Sequence, residues 1–317
     1  MYLEPIFLRP SFHEKIWGGE KIKELFDYDI PGNRIGEAWV ISAHKNGPSI
    51  IENGPFAGDP LFALWQEMPS LFGKQDADEE FPLLVKIIDA KDWLSVQVHP
   101  NDAYANRVEN EPYGKTECWY VLDCEPDSEI VFGHHAESKE EFKKLVEQKE
   151  WDRLLNRVKV NKGDFFYVPS GTIHGIGKGI VILEIQQSSD ITYRVYDYDR
   201  KDDDGNLREL HIDAAIEVTN YPHSIPVFQP KTETIGDLIQ TQLIREKYFT
   251  VYHCKLAGRF TSTVTEDYLL VSVINGEGEI IVNDQSYRIE KGSHFILPAT
   301  IDKYEFQGDL EMVISHE

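Results

Sequence analysis

A mainly β fold, arranged as two sandwich- or barrel-like domains with short helical inserts, is what this sequence predicts. Three observations carry that expectation. Short apolar runs bounded by Gly, Pro, Asn and Asp recur along the chain, as strands joined by turns require. Helical spacing of apolar residues is confined to a few short stretches. A Gly, five residues, Pro pattern occurs twice, as GDFFYVP (163–169) and GSHFILP (292–298), each after a series of strands. That echo is what two similar halves would leave.

Taken in order, 20–27 (EKIKELFD) and 60–73 (PLFALWQEMPSLFG) carry apolar residues three and four apart and are predicted helices. Strands follow at PLLVKIID (82–89), WLSVQVHP (93–100) and CWYVLD (118–123). Residues 138–157 open with Ser138 and Glu141, a capping box, and continue as a charged amphipathic helix. DFFYVP (164–169) and GIVILEIQ (179–186) are strands again. NYPHSIPVFQPKT (220–232) holds three prolines in a polar setting and reads as a linker, placing a boundary near 222. A second strand series occupies 249–254, 268–274, 279–283 and 293–297.

Length and composition suit two globular domains: 317 residues, 41% hydrophobic and 27% charged. No apolar run approaches the roughly 20 residues that span a bilayer, and the N-terminus lacks the pattern of a secretory signal. Three cysteines without CxxC spacing fit a reducing compartment, so a cytoplasmic location is expected. Net charge is −23, which argues against nucleic acid and anionic membranes as partners. The same field repels a phosphorylated metabolite, so such a substrate would have to be caught by a local cluster of Arg or Lys.

Chemistry concentrates in three segments. In QVHPND (97–102) Gln97 and His99 share a strand face. In GKTECWYV (114–121) Lys115 and Glu117 share one face, with Cys118 and Tyr120 falling on the other. In 163–174 a strand runs through a tight turn to present His174. Two imidazoles and a carboxylate make a metal triad with open positions, and Gln97 offers a fourth, oxygen ligand. Such donors admit zinc or non-haem Fe(II). The adjacent His134 and His135 lack a comparable context and read as surface or loop residues. Arg194, taken alone, reads as a surface ion pair with Asp190, Asp197 or Asp199.

The third segment matches the cupin motif G(x5)PxG(x2)H at Gly163, Pro169, Gly171 and His174. With QVHPND followed by Lys-x-Glu, the chain resembles type I mannose-6-phosphate isomerases, especially the short bacterial form. IWGGEKI, GEAWVIS (36–42), SSDITYRVYDYDR (188–200) and RELHIDAAIEV (208–218) resemble further family segments. The specific likeness spans about residues 1–220. It implies a catalytic cupin domain over 1–221 and a cupin-like domain over 222–317. It also implies one zinc per chain on Gln97, His99, Glu117 and His174, with Arg194 essential in the pocket. The catalytic residues expected are Arg194, to stabilise the enediolate or hold the phosphate, and Lys115, the second local cation, as phosphate anchor or proton carrier. The expected reaction interconverts mannose 6-phosphate and fructose 6-phosphate through a cis-enediolate, with a sugar phosphate as partner. Two departures stand out: Lys115-Thr116-Glu117 replaces the long members' Lys-Pro-Glu, and only about 137–158 represents their large helical insert. In the second half Lys303 stands where His174 does in the first, and Thr300 where Gly171 does, so no metal is expected there. Two other readings are an Fe(II) cupin dioxygenase, disfavoured by Gln-x-His in place of His-x-His, and a sugar-binding cupin without activity.

Overall fold

The computed structural model describes residues 2–317, and the expected mainly β class holds. Strands form three sheets. The first has nine strands and orders 231–235, 238–245, 250–263, 303–316, 268–282, 294–298, 6–9 and 50–51, with 285–290 added beside 268–282. The second orders 165–168, 117–124, 180–187, 83–90, 35–42 and 11–19. The third orders 193–196, 96–98, 174–176, 129–134 and 155–159. All pairings are antiparallel, which permits close hairpin returns. The first sheet contains every strand of the C-terminal half and also takes in two N-terminal strands, with Ile6 opposite Ile296.

The second sheet is the middle layer. Leu83, Val85 and Ile87 on one of its strands, with Val181, Leu183 and Ile185 on the next, join a core shared with Phe249, Tyr268 and Ile296 of the C-terminal half. Alternate residues Ile88, Trp119 and Ile182 face the other way, against Phe132 and Ile176 of the third sheet. Strand 83–90 is buried along its whole length because both faces are covered. Cys118 and Tyr120 lie on the shared-core side, opposite to Glu117, as strand alternation requires.

The helix over 20–27 forms as Lys21–Phe26. The helix expected over 60–73 is split: Leu61–Glu67 is α-helical and Pro69–Phe72 is a separate single turn, since Pro69 cannot donate into a continuing helix. At 138–157 the expectation holds for Lys139–Glu147, where the Ser138 side chain accepts from the Glu141 amide at 3.2 Å. Glu141 in turn accepts from the Glu137 amide at 2.9 Å. The helix stops after Glu147, resumes as the turn Trp151–Leu154, and is corrected from Leu155 on. Residues Leu155–Lys159 form a strand, because pairing with 129–134 closes the edge of the third sheet. The linker has no regular structure from 223 to 230, while 231 and 232 already belong to a strand. The two Gly-to-Pro echoes adopt the same turn. Gly163 and Gly292 have φ of 90° and 94°, open to glycine, and donate to the carbonyls of Val121 and Val273.

Candidate metal centre

Three strands of the third sheet place Arg194, Gln97 and His174 side by side. Gln97 is opposite His174 on one neighbour and opposite Arg194 on the other, so all three share the face turned into the cavity. His99 follows where Pro100 ends the strand. His174 is reached through the loop after Pro169, where Gly171 has φ 83°, and a Cβ there would sit 2.6 Å from the Asn220 side chain. Glu117 comes from the facing second sheet. Of the four expected ligands, His99, Glu117 and His174 are fully buried with donor atoms within 4.8 Å of one another, while Gln97 is partly exposed beside them. Among the described residues this is the one such group of three or more His, Cys, Asp or Glu.

Fit to a metal can be judged from the donors. Each imidazole uses Nδ1 on a backbone carbonyl: His99 on Ile191 O at 2.7 Å, His174 on Thr172 O at 2.8 Å. Donation there fixes the tautomer and leaves each Nε2 as an inward lone pair. Those nitrogens lie 3.5 Å from opposite oxygens of Glu117. Burial, then the Lys115 charge, pushes the His99 pKa well below the usual imidazole value, and burial brings His174 to about 4. Both rings are therefore neutral at pH 7, the form that binds metal. Trp119 Nε1 donates to Glu117 Oε1 at 3.0 Å and its ring meets His174 edge-on. The Gln97 amide presents Nε2 to His174 at 3.4 Å while its Oε1 accepts from Ser95. A half-turn of the amide would present the oxygen instead. This donor set fits a divalent zinc-like cation.

Charged side chains that sequence reasoning missed complete the cavity floor. Across four strands of the second sheet, Trp119, Glu184, Lys86 and Trp39 form a register row. Lys86 Nζ lies over the Trp39 ring and 3.8 Å from Glu184. The Lys115 ammonium contacts Glu117, 3.2 Å from His99 Nε2 and 3.5 Å from Glu184. Burial lowers the Lys86 pKa against the pull of Glu37 and Glu184. It also acts to lower Lys115, but Glu117 and Glu184 outweigh it and raise that group. Glu184 is raised by burial and then by Glu117. The available signal was a single charge within an apolar strand run: Lys86 in PLLVKIID and Glu184 in GIVILEIQ.

The cavity has a volume of about 470 Å³, the range of a small-molecule site. It runs from Glu117 and His174 to the more exposed Asn46, Asp190, Thr192, Arg194 and Arg208. The ion pair that Arg194 taken alone would suggest is not formed. Asp197 is taken by Arg200 and Arg208, whereas Arg194 donates Nη1 to the Glu209 carbonyl at 2.7 Å. His134 is also a correction: it is buried against Phe142 and Tyr221 and bonded to Asn220 O, while His135 is exposed as expected. Lys303 is exposed, far from any role resembling that of His174.

Comparison with known proteins adds independent findings. Residues 6–131 match the family model described as phosphomannose isomerase type I, catalytic domain. Residues 239–317 match the mannose-6-phosphate isomerase cupin domain. The chain is 50% identical over 316 residues to mannose-6-phosphate isomerase ManA of Bacillus subtilis (strain 168), covering 100% of both. It is 50% identical to the mannose-6-phosphate isomerase of Streptococcus mutans, covering 99% of this chain and 98% of that protein. A crystal structure of mannose 6-phosphate isomerase from Bacillus subtilis superposes with TM-score 0.96 at 43% identity, with 99% of each chain covered.

Proposed function

Because the chain belongs to the type I phosphomannose isomerases, we propose that it interconverts mannose 6-phosphate and fructose 6-phosphate with one bound zinc. The observation that carries the zinc reading is the pair of neutral imidazoles, each tied through Nδ1 to a backbone carbonyl, converging with Glu117 at the closed end of the cavity. His99, Glu117 and His174 would hold the ion, with Gln97 as a fourth ligand. When bound, zinc supplies Lewis-acid stabilisation of charge on substrate oxygen.

The chain's own residues do the rest. In the open-chain sugar a proton leaves C2, its electron pair forms the C1–C2 double bond, and charge moves to the C1 oxygen. Transfer of the O2 proton to O1 and return of a proton to C1 of the cis-enediolate give the ketose. Lys115 and Glu184, 3.5 Å apart and buried beside the ligands, hold and move that proton in this proposal. The guanidinium of Arg194 stabilises the enediolate charge, as a fixed planar donor in a largely buried pocket does well. Trp39 and Trp119 wall the cavity and limit water.

The same proposal keeps residues 1–221 as the catalytic unit and 222–317 as a companion cupin unit without metal ligands, in a cytoplasmic enzyme. No helix among the described residues is long and apolar enough to cross a membrane.

The test is fructose 6-phosphate formation from mannose 6-phosphate by one preparation as purified, after chelation and after zinc is restored. Activity should vanish with the chelator and return with zinc. Folded protein with no turnover in any state overturns the isomerase reading, and full activity after verified metal removal overturns the zinc reading.

A further inference from the structure

Five cations line the cavity: Lys15, Lys86, Lys115, Arg194 and Arg208. Three are committed to carboxylates inside it. Lys115 is buried among Glu117, Glu184 and His99, Lys86 lies between Glu37 and Glu184, and Lys15 pairs with Glu37 at 3.2 Å. None of these is free to grip a second anion without giving up its partner.

The arginines are arranged differently. Asp197, almost fully buried, accepts Arg208 Nε at 2.7 Å through one oxygen and the Nη2 of both Arg208 and Arg200 through the other. Arg200 is fixed further by donation to Trp93 O at 2.6 Å. Arg208 is thus clamped along one edge of its guanidinium, with Nη1 as the nitrogen that Asp197 does not engage. Arg194 lies close enough that its pKa is lowered by burial and then by the Arg208 charge, and its buried Nε has no hydrogen-bond partner. Arg200 is thus engaged by Asp197 and by Asp92 at 3.4 Å, which leaves Arg194 and Arg208 as the two cavity-lining guanidiniums at the exposed end, beside the single carboxylate of Asp190, in a protein of net charge −23. Two such guanidiniums, one of them held rigidly by a buried acid, suit an incoming dianion.

Resting on the isomerase reading, we propose that Arg208 is the phosphate anchor of this enzyme and that Asp197 positions it. The phosphate binds the outward edge of the Arg208 fork. Arg194, in register with Gln97, is then left to face the reacting carbons. The division of labour explains how so acidic a chain captures a phosphorylated sugar. It also assigns preference for the phosphorylated over the free sugar to a loop residue outside all three sheets.

The experiment compares wild type, Arg208→Gln and Arg208→Lys as zinc-loaded enzymes. It measures KM and kcat for mannose 6-phosphate, the inhibition constant of inorganic phosphate, and the thermal shift that inorganic phosphate produces. For Arg208→Gln, KM and the phosphate inhibition constant should rise together, on the order of 10–100-fold for a lost charge-assisted contact. The larger part of the loss should fall in KM, and the thermal shift should shrink. Arg208→Lys should recover part of the affinity, since charge returns without the clamped fork. Asp197→Asn should raise KM in wild type and add little in the Arg208→Gln background, a coupling that a general packing role would not give. Unchanged KM and unchanged phosphate inhibition in folded Arg208→Gln overturn the proposal, as does a loss confined to kcat. If wild type turns over no mannose 6-phosphate, the isomerase reading falls, and the thermal shift with phosphate still decides whether Arg208 holds the anion.

Discussion

Replacing Glu37 by Gln should remove a defined part of this protein's acid sensitivity. Glu37 lies in the cavity wall, nearly buried, with Lys15 at 3.2 Å, Lys86 at 3.9 Å and the Trp39 indole donating at 2.7 Å. Burial alone would raise its pKa, but Lys86, Lys15 and the Trp39 hydrogen bond outweigh burial and hold it at about 2, against a reference of 4.5. A depressed folded-state pKa means the stabilisation is fully present above the unfolded value and lost as pH falls through the folded one. Each unit corresponds to about 1.4 kcal/mol, so the window from pH 5 to 2 should cost wild type about 3 kcal/mol from this group. The variant keeps the shape and loses the titration. Urea unfolding of both proteins across pH 7 to 2.5, analysed at matched m-values, gives the difference in stability at each pH. That difference should be largest at neutral pH and shrink by most of the 3 kcal/mol on acidification. A difference that stays constant across the range refutes the assignment of a depressed pKa to Glu37.

Two further outcomes concern the metal centre. His174→Ala should lower bound zinc and activity in parallel, as should His99→Ala and Glu117→Ala, measured by elemental analysis beside the isomerase assay. Metal retained at wild-type level with activity lost would assign these residues to some role other than ligation. Arg194→Ala should lower kcat by about 10²-fold or more while zinc stays bound, since its guanidinium acts on developing charge. Loss of zinc in that variant would count against the role given to it.

Legibility from sequence followed the locality of the interactions. His99, Glu117 and His174 could be found because each belongs to a short segment whose strand alternation or turn already aims the side chain, and the family resemblance tied the segments together. Lys86 and Glu184 could not be placed that way, since their meeting depends on the register between strands 83–90 and 180–187, nearly a hundred residues apart. Arg208 was hidden for a similar reason. Its position is set by Asp197 across an irregular loop, and no periodicity describes that contact. The helix expected over 138–157 failed at its end because Leu155 and Val158 satisfy a helical pattern locally, while the sheet edge at 129–134 offers hydrogen bonds that local propensity does not see. Lone charges in apolar runs were the signal left unread, and both of them proved to point into the cavity.

The strand Ile6–Arg9 carries one more consequence, and it concerns time. Of its two hydrogen-bonding neighbours one is Ile50–Ile51 and the other is the strand around Ile296, 290 positions further along the chain. At translation rates of about 5–20 residues per second, the first strand waits roughly 15–60 s before that second partner has been made. During that interval Ile6 and Leu8, both buried in the finished molecule, have only the two-residue strand Ile50–Ile51 beside them. The strand Ile6–Arg9 is therefore completed only after the strand around Ile296 has been made, so this edge of the first sheet closes late.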